Sequence, residues 1–174
     1  MQKYFSNIVI AFFVVAGFVL LLTDKTHWPG YYDLPYMGWA ALVCALVIFV
    51  VPKEFQAPLA LVLFLNGLGD LGLYQLYLYG FEFDKVIHFV SPLIAALVFI
   101  PRLGVVRAAL LVVGMAFAWE LFEFLADTYL KTHLFGVYRH QVFRDTITDI
   151  AMNILGVAAA ALYLKYKGKP ATMP

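Results

Sequence analysis

At 174 residues the chain is the size of one domain, yet 64% of it is hydrophobic and only 13% charged, with a mean hydropathy of +0.86. A water-soluble domain of this size cannot hide that much apolar surface, so composition excludes an ordinary soluble fold. A net charge of +1 and a pI near 7.8 give no footing for nucleic acid, and the single cysteine, Cys44, excludes an internal disulfide or a cysteine-based zinc site.

A spanning helix needs roughly 20 mostly apolar residues at ~1.5 Å each. In chain order the stretches that meet this run from about Phe5 to Leu22, Tyr36 to Val51, Gln56 to Tyr79, Asp84 to Ile100, Val105 to Leu130 and Asp145 to Lys165. Met1-Gln2-Lys3 before the first run imitates a signal peptide. The run is long enough to span, however, and Leu22-Thr23-Asp24-Lys25 offers no small-residue cleavage pattern, so it reads as a retained span. Trp28-Pro29-Gly30, Val51-Pro52-Lys53, Gly80, Pro101-Arg102-Leu103-Gly104 and Gly136 punctuate the runs. The expectation is an all-α, polytopic transmembrane bundle of about six spans, forming one integral membrane domain over 1–174.

Six spans put seven basic residues, among them Lys3, Lys53, Arg102, Arg107 and Lys165, on the side of the termini, against five on the other. The positive-inside rule then places both termini in the cytoplasm. Of the eleven acids only Glu54 shares that side, and all four histidines fall on the opposite one. Polar chemistry is therefore expected to face away from the cytoplasm.

Four helices carry polar residues at helical spacing: Asn66 and Asp70 on the third, Asp84 and His88 on the fourth, Glu120, Glu123 and Asp127 on the fifth, and Asp145, Asp149 and Asn153 on the sixth. At about 100° per residue each set forms one stripe. An ionised side chain facing lipid costs about 2.5 to 3.5 kcal/mol even on lenient insertion scales, so the stripes should face one another. Seven carboxylates (Asp70, Asp84, Glu120, Glu123, Asp127, Asp145 and Asp149) would then meet Lys85, His88, Arg139 and Arg144 as the nearest counter-ions. Like charges so close require protons or bound cations between them. An oxygen-rich set with one imidazole suits Mg²⁺, Mn²⁺ or non-haem iron. His88, Glu120, Glu123 and Asp149 are the candidate ligands, with Asp145 or Asp127 as general base. Asp70, Asp84, Lys85, Asn66 and Asn153 are supporting polar groups, and Arg139 and Arg144 a candidate phosphate-binding pair. Against this stands the reading in which polar residues only lock helices together, with Asp84 and Asp145 as helix N-caps. Trp119 and Phe122 read as packing residues, and His27, His133 and His140 as loop histidines.

The segments Phe83-Asp84-Lys85-Val86-Ile87-His88-Phe89, Trp119-Glu120-Leu121-Phe122-Glu123-Phe124 with Asp127, and Asp145-Thr146-Ile147-Thr148-Asp149 with Asn153 and Gly156 resemble a YjdF-type family of bacterial inner-membrane proteins. More distantly the pattern is similar to VanZ-like proteins. The match covers about residues 84–156. The resemblance implies a compact helical inner-membrane protein in which the three motifs act together, and the VanZ likeness, through glycopeptide resistance, implies envelope lipids or cell-wall precursors.

Three functions follow as expectations. The first is a metal-dependent enzyme of the outer leaflet acting on a lipid or lipid-linked substrate. The second is a proton- or cation-coupled transporter using the same carboxylates. The third is a non-catalytic envelope or resistance factor in which the stripes fix helix packing.

Overall fold

The computed structural model describes residues 2–23, 34–70, 77–78, 81–125, 128–129 and 142–167. Among these it has six helices: α1 (Gln2–Leu22), α2 (Leu34–Val50), α3 (Lys53–Asp70), α4 (Phe83–Leu103), α5 (Val105–Leu125) and α6 (Val142–Lys167). Each of the six expected runs therefore holds one helix. Among the described residues four are long and apolar enough to cross a membrane, over Tyr4–Leu22, Phe83–Leu103, Val105–Leu125 and Arg144–Lys167, and the apolar part of α2, Met37–Val50, is shorter.

The third run departs from expectation. Helix α3 ends at Asp70, and Tyr77–Leu78 instead forms a strand, β1, paired antiparallel with β2 (Phe81–Glu82). Gly67, Gly69 and Gly72 dilute helix propensity here, whereas the aromatic-rich residues that follow suit a strand. The register pairs Tyr77 with Glu82 and Leu78 with Phe81, so the hairpin delivers the chain directly into α4. At the other end, α4 continues through Pro101 to Leu103, beyond the Ile100 boundary expected from the proline. It stops at Gly104, whose positive φ of 77° suits glycine and whose N–H donates to the Ile100 carbonyl.

The described chain gathers into two compact units, Met1–Gln75 and Leu76–Pro174. In the first, α1 packs on α2 and α3 around Val9, Phe13, Ala41, Ala45, Ile48 and Ala60. The α1 and α2 backbones approach where Gly17 and Gly38 face each other. In the second, α4 packs against both α5 and α6 around Ala96, Ile100, Ala108, Val112, Val157 and Ala160. Small residues again set the spacing: a Cβ added at Gly156 of α6 would overlap the Phe89 carbonyl oxygen of α4.

Burial in the second unit is inverted relative to a soluble protein. Val106, Leu110 and Leu121 of α5 are more than half exposed, while Lys85, Glu120, Asp149 and Asn153 are buried. Lipid tails cover such an apolar exterior at no cost, and the polar groups avoid them by turning inward.

Gly156→Ala is expected to destabilise the protein by about 1 to 3 kcal/mol, because a backbone carbonyl cannot swing aside as a side chain does. At Gly114, where an added Cβ meets nothing within 4 Å, alanine should be neutral or stabilising by up to about 1 kcal/mol. Thermal unfolding of the two variants in mild detergent checks the contrast, and equal melting temperatures would contradict the close α4–α6 approach.

Candidate functional site

Acids open both helices that enter the second unit. Asp84 lies in the first turn of α4 and Asp145 in the first turn of α6, where the positive end of the helix dipole favours them. Neither is an N-cap as expected for Asp84 and Asp145. The cap of α4 is Glu82, without a side-chain cap bond, and α6 begins three residues before Asp145.

Beside Asp84 and one turn beyond it, Lys85 and His88 lie on the face of α4 that meets Asp149 and Asn153 of α6. The Lys85 ammonium is the hub. Its Nζ lies 2.5 Å from Asp145 Oδ1, 2.6 Å from Asp149 Oδ1, 3.1 Å from Asp84 Oδ2 and 3.7 Å from Glu82 Oε2. Lys85 thus does more than the supporting role expected of it, binding carboxylates from both helices at once. Glu82 had no place in the expected site. Its only signal is the i, i+3 spacing to Lys85, which becomes meaningful because α4 starts at Phe83.

His88 forms the next layer. Its Nε2 faces Asp84 Oδ1 at 3.4 Å and Asp149 Oδ1 at 3.9 Å. Its Nδ1 lies 3.3 Å from the Asn153 amide nitrogen and 3.6 Å from Glu120 Oε1 of α5. With the Asn153 amide donating to Nδ1, the neutral ring carries its proton on Nε2, directed at Asp84. Glu120 Oε1 is then buried with no hydrogen-bond partner. Leaving a carboxylate oxygen in that state is costly, and such exceptions concentrate at functional sites.

Exposure grades the site from mouth to floor. The side chains of Glu82, Asp84 and Asp145 are about a third exposed, and those of Glu120 and Asp149 only 7% and 5%. Five carboxylates share the space with one ammonium and one imidazole, so negative charge is in excess even if His88 is protonated. Asp84, His88 and Asp149 each offer a ligand atom within 4.8 Å of the others, and Glu82, Asp84 and Asp145 form a second such group. The donor set is oxygen-rich with one imidazole, as a Mg²⁺, Mn²⁺ or non-haem iron site requires.

Glu123 and Glu120 border these two groups without belonging to either, and the other expected residues lie elsewhere. Glu123, expected as a ligand, instead accepts a hydrogen bond from Trp119 Nε1 at 2.7 Å. Trp119 therefore does more than pack, although its ring also sits against Phe122 with centroids 5.5 Å apart. Glu120 lies on the Nδ1 side of His88, away from the nitrogen that faces Asp84 and Asp149. Arg144 is exposed on the first turn of α6. Asn66 belongs to the first unit, where its amide donates to the Val62 carbonyl of its own helix at 2.8 Å. Asp127, Arg139, His27, His133, His140 and the Asp70 side chain lie outside the described residues.

The match to known families spans residues 1–169 and is to the model described as "Predicted membrane protein (DUF2238)". The chain belongs to that family. No curated protein and no solved structure matches it. The DUF2238 assignment covers both units and agrees with the apolar helices, and it assigns the polar cluster no chemistry.

Asp149→Ala removes the deepest acceptor of the Lys85 ammonium, and breaking a buried pair from one side costs about 3 to 5 kcal/mol. Glu123→Gln retains an acceptor for Trp119 and should cost less than about 1 kcal/mol. Denaturation of both variants in detergent, compared with the parent, should show this order, and a reversed order would remove Lys85 from the centre of the site.

Proposed function

We propose that this DUF2238 member is a divalent-cation-dependent membrane enzyme acting on a lipid or lipid-linked envelope substrate, with Asp84, His88 and Asp149 as the cation's ligands. The observation that carries this reading is the unpartnered Glu120 oxygen beside His88. A metal-bound imidazole gives up the proton on its ligating nitrogen and donates the other to a carboxylate or carbonyl. If Nε2 ligates a cation alongside Asp84 and Asp149, the ring proton resides on Nδ1, and Glu120 Oε1, 3.6 Å from it, is the carboxylate that a small closure would make its acceptor. The feature that is costly without a cation becomes a supporting interaction with one.

A bound divalent cation supplies charge to polarise a substrate oxygen or a water. The chain's own contribution is a graded chamber. Its mouth of Glu82, Asp84 and Asp145 lies at the ends of α4 and α6, at the level of lipid headgroups, and its floor excludes water. Arg144, on the first turn of α6, is placed to meet a phosphate approaching from that end. Asp145 is the general base nearest this mouth, in balance with its ion pair to Lys85. The charge distribution supports cytoplasmic termini and an extracytoplasmic mouth in the plasma membrane. The likeness of the three motifs to VanZ-like proteins supports an envelope substrate.

A transporter reading has less to stand on. Between His88 and Arg102 in α4, Arg107 and Glu120 in α5, and Asp149 and Lys165 in α6 the sequence contains no Asp, Glu, His, Lys or Arg, so these three helices offer no ladder of carriers across the membrane.

The test is metal content and lipid turnover on protein purified in detergent and reconstituted with envelope lipid extract. One divalent ion per chain is expected in the parent, lost in His88→Ala and Asp149→Asn, with affinity lowered about 10- to 100-fold in Glu120→Gln. Mass spectrometry should show a lipid change that chelator abolishes. A parent protein that binds no divalent ion ends the proposal, and stoichiometric binding without any chelator-sensitive lipid change ends its enzymatic part.

A further inference from the structure

We infer that Lys85 is a built-in competitor for the cation site, a tethered ammonium that occupies both carboxylates among the three ligands and must withdraw from them when a divalent ion enters. This rests on the cation reading above. The ammonium lies 2.6 Å from Asp149 Oδ1 and 3.1 Å from Asp84 Oδ2. The oxygen of Asp149 that meets Lys85 is the same one that faces His88 Nε2 at 3.9 Å. A divalent ion coordinated there at about 2.0 to 2.6 Å would sit against the ammonium, and two cations at such a distance repel strongly in a poorly hydrated space.

The molecule also contains somewhere for the ammonium to go. Asp145 and Glu82 already contact Nζ at 2.5 and 3.7 Å, lie toward the mouth and, with Asp149 withdrawn from the pairing, still give it two anionic partners. The four-methylene stem of lysine allows the shift by rotamer changes alone, which the planar fork of arginine would not. The excess of carboxylates over cations then has a purpose: it is the number needed to hold the ammonium and a divalent ion simultaneously. Lys85 accordingly acts as a selectivity device. A monovalent ion gains too little to displace an ammonium of equal charge, whereas a divalent ion gains enough.

The experiment titrates Mn²⁺ against the full-length protein in detergent, parent beside Lys85→Met, by calorimetry and by the Mn²⁺ paramagnetic signal. It also follows reductive methylation of Lys85 in the parent with and without Mn²⁺ by mass spectrometry. Lys85→Met should bind Mn²⁺ at least about tenfold more tightly, and Mn²⁺ should speed methylation of Lys85 in the parent as the ammonium moves toward the mouth. Parent binding with no gain in Lys85→Met and no faster labelling overturns the competitor role while leaving the cation site intact. If Lys85→Met does not fold, the labelling experiment decides alone, with unchanged or slower modification counting against the inference. Binding by Lys85→Met but not by the parent would uphold the competitor and overturn the metal dependence of the natural protein. Binding by neither, with both folded, overturns both.

Discussion

The ammonium of Lys85, held between α4 and α6 carboxylates, is the interaction on which the second unit depends. A buried ion pair is tolerated only when close partners offset its desolvation, and removal of one partner leaves an uncompensated buried charge. A second, steric constraint acts on the same two helices about two turns along α6 from Asp149, where Gly156 lets the backbones close on the Phe89 carbonyl. The electrostatic contact at one level and the backbone approach at another define a common seam. A glycine with no chemistry of its own therefore helps to set the geometry of the polar site.

The seam changes character along its length. At the mouth, the side chains of Glu82, Asp84 and Asp145 retain partial access to solvent. At the floor, Glu120 and Asp149 do not. Asp149 has an ammonium to offset the cost, but one oxygen of Glu120 has none. His88 sits between the two carboxylates with Nδ1 toward Glu120 and Nε2 toward Asp149 and Asp84, so the position of its ring proton determines whether a donor faces Glu120. Stability alone does not account for this arrangement, because an apolar residue at position 120 would avoid the penalty. Under the proposed cation binding, the same group would be satisfied in one state of the site and unsatisfied in the other.

Around this interior the exterior is almost featureless chemically. The exposed leucines, valines and phenylalanines of α1, α2, α5 and α6 form an apolar surface of the kind a bilayer covers. The membrane thus supplies both the solvent for the outside and the low dielectric that strengthens the contacts inside.

The sequence by itself determined the membrane character, the six helices and the polar stripes, because hydropathy and the 3.6-residue period are local properties. It also determined that carboxylates would exceed cations in the shared space, since that is a count. Only the tertiary structure decided which stripe members meet. Glu120 and Glu123 differ by about 60° around α5, and that rotation directs one to His88 and the other to Trp119. Lys85 emerged as the hub and Glu82 as its partner only once the start of α4 and its rotation against α6 were set. The strand at Tyr77–Leu78, inside a run that hydropathy reads as one helix, likewise reflects a pairing that hydropathy does not register. Periodicity states which residues share a face of one helix. Which face of the neighbour it meets is set by packing between helices, where small residues such as Gly156 and buried charges such as Lys85 act together.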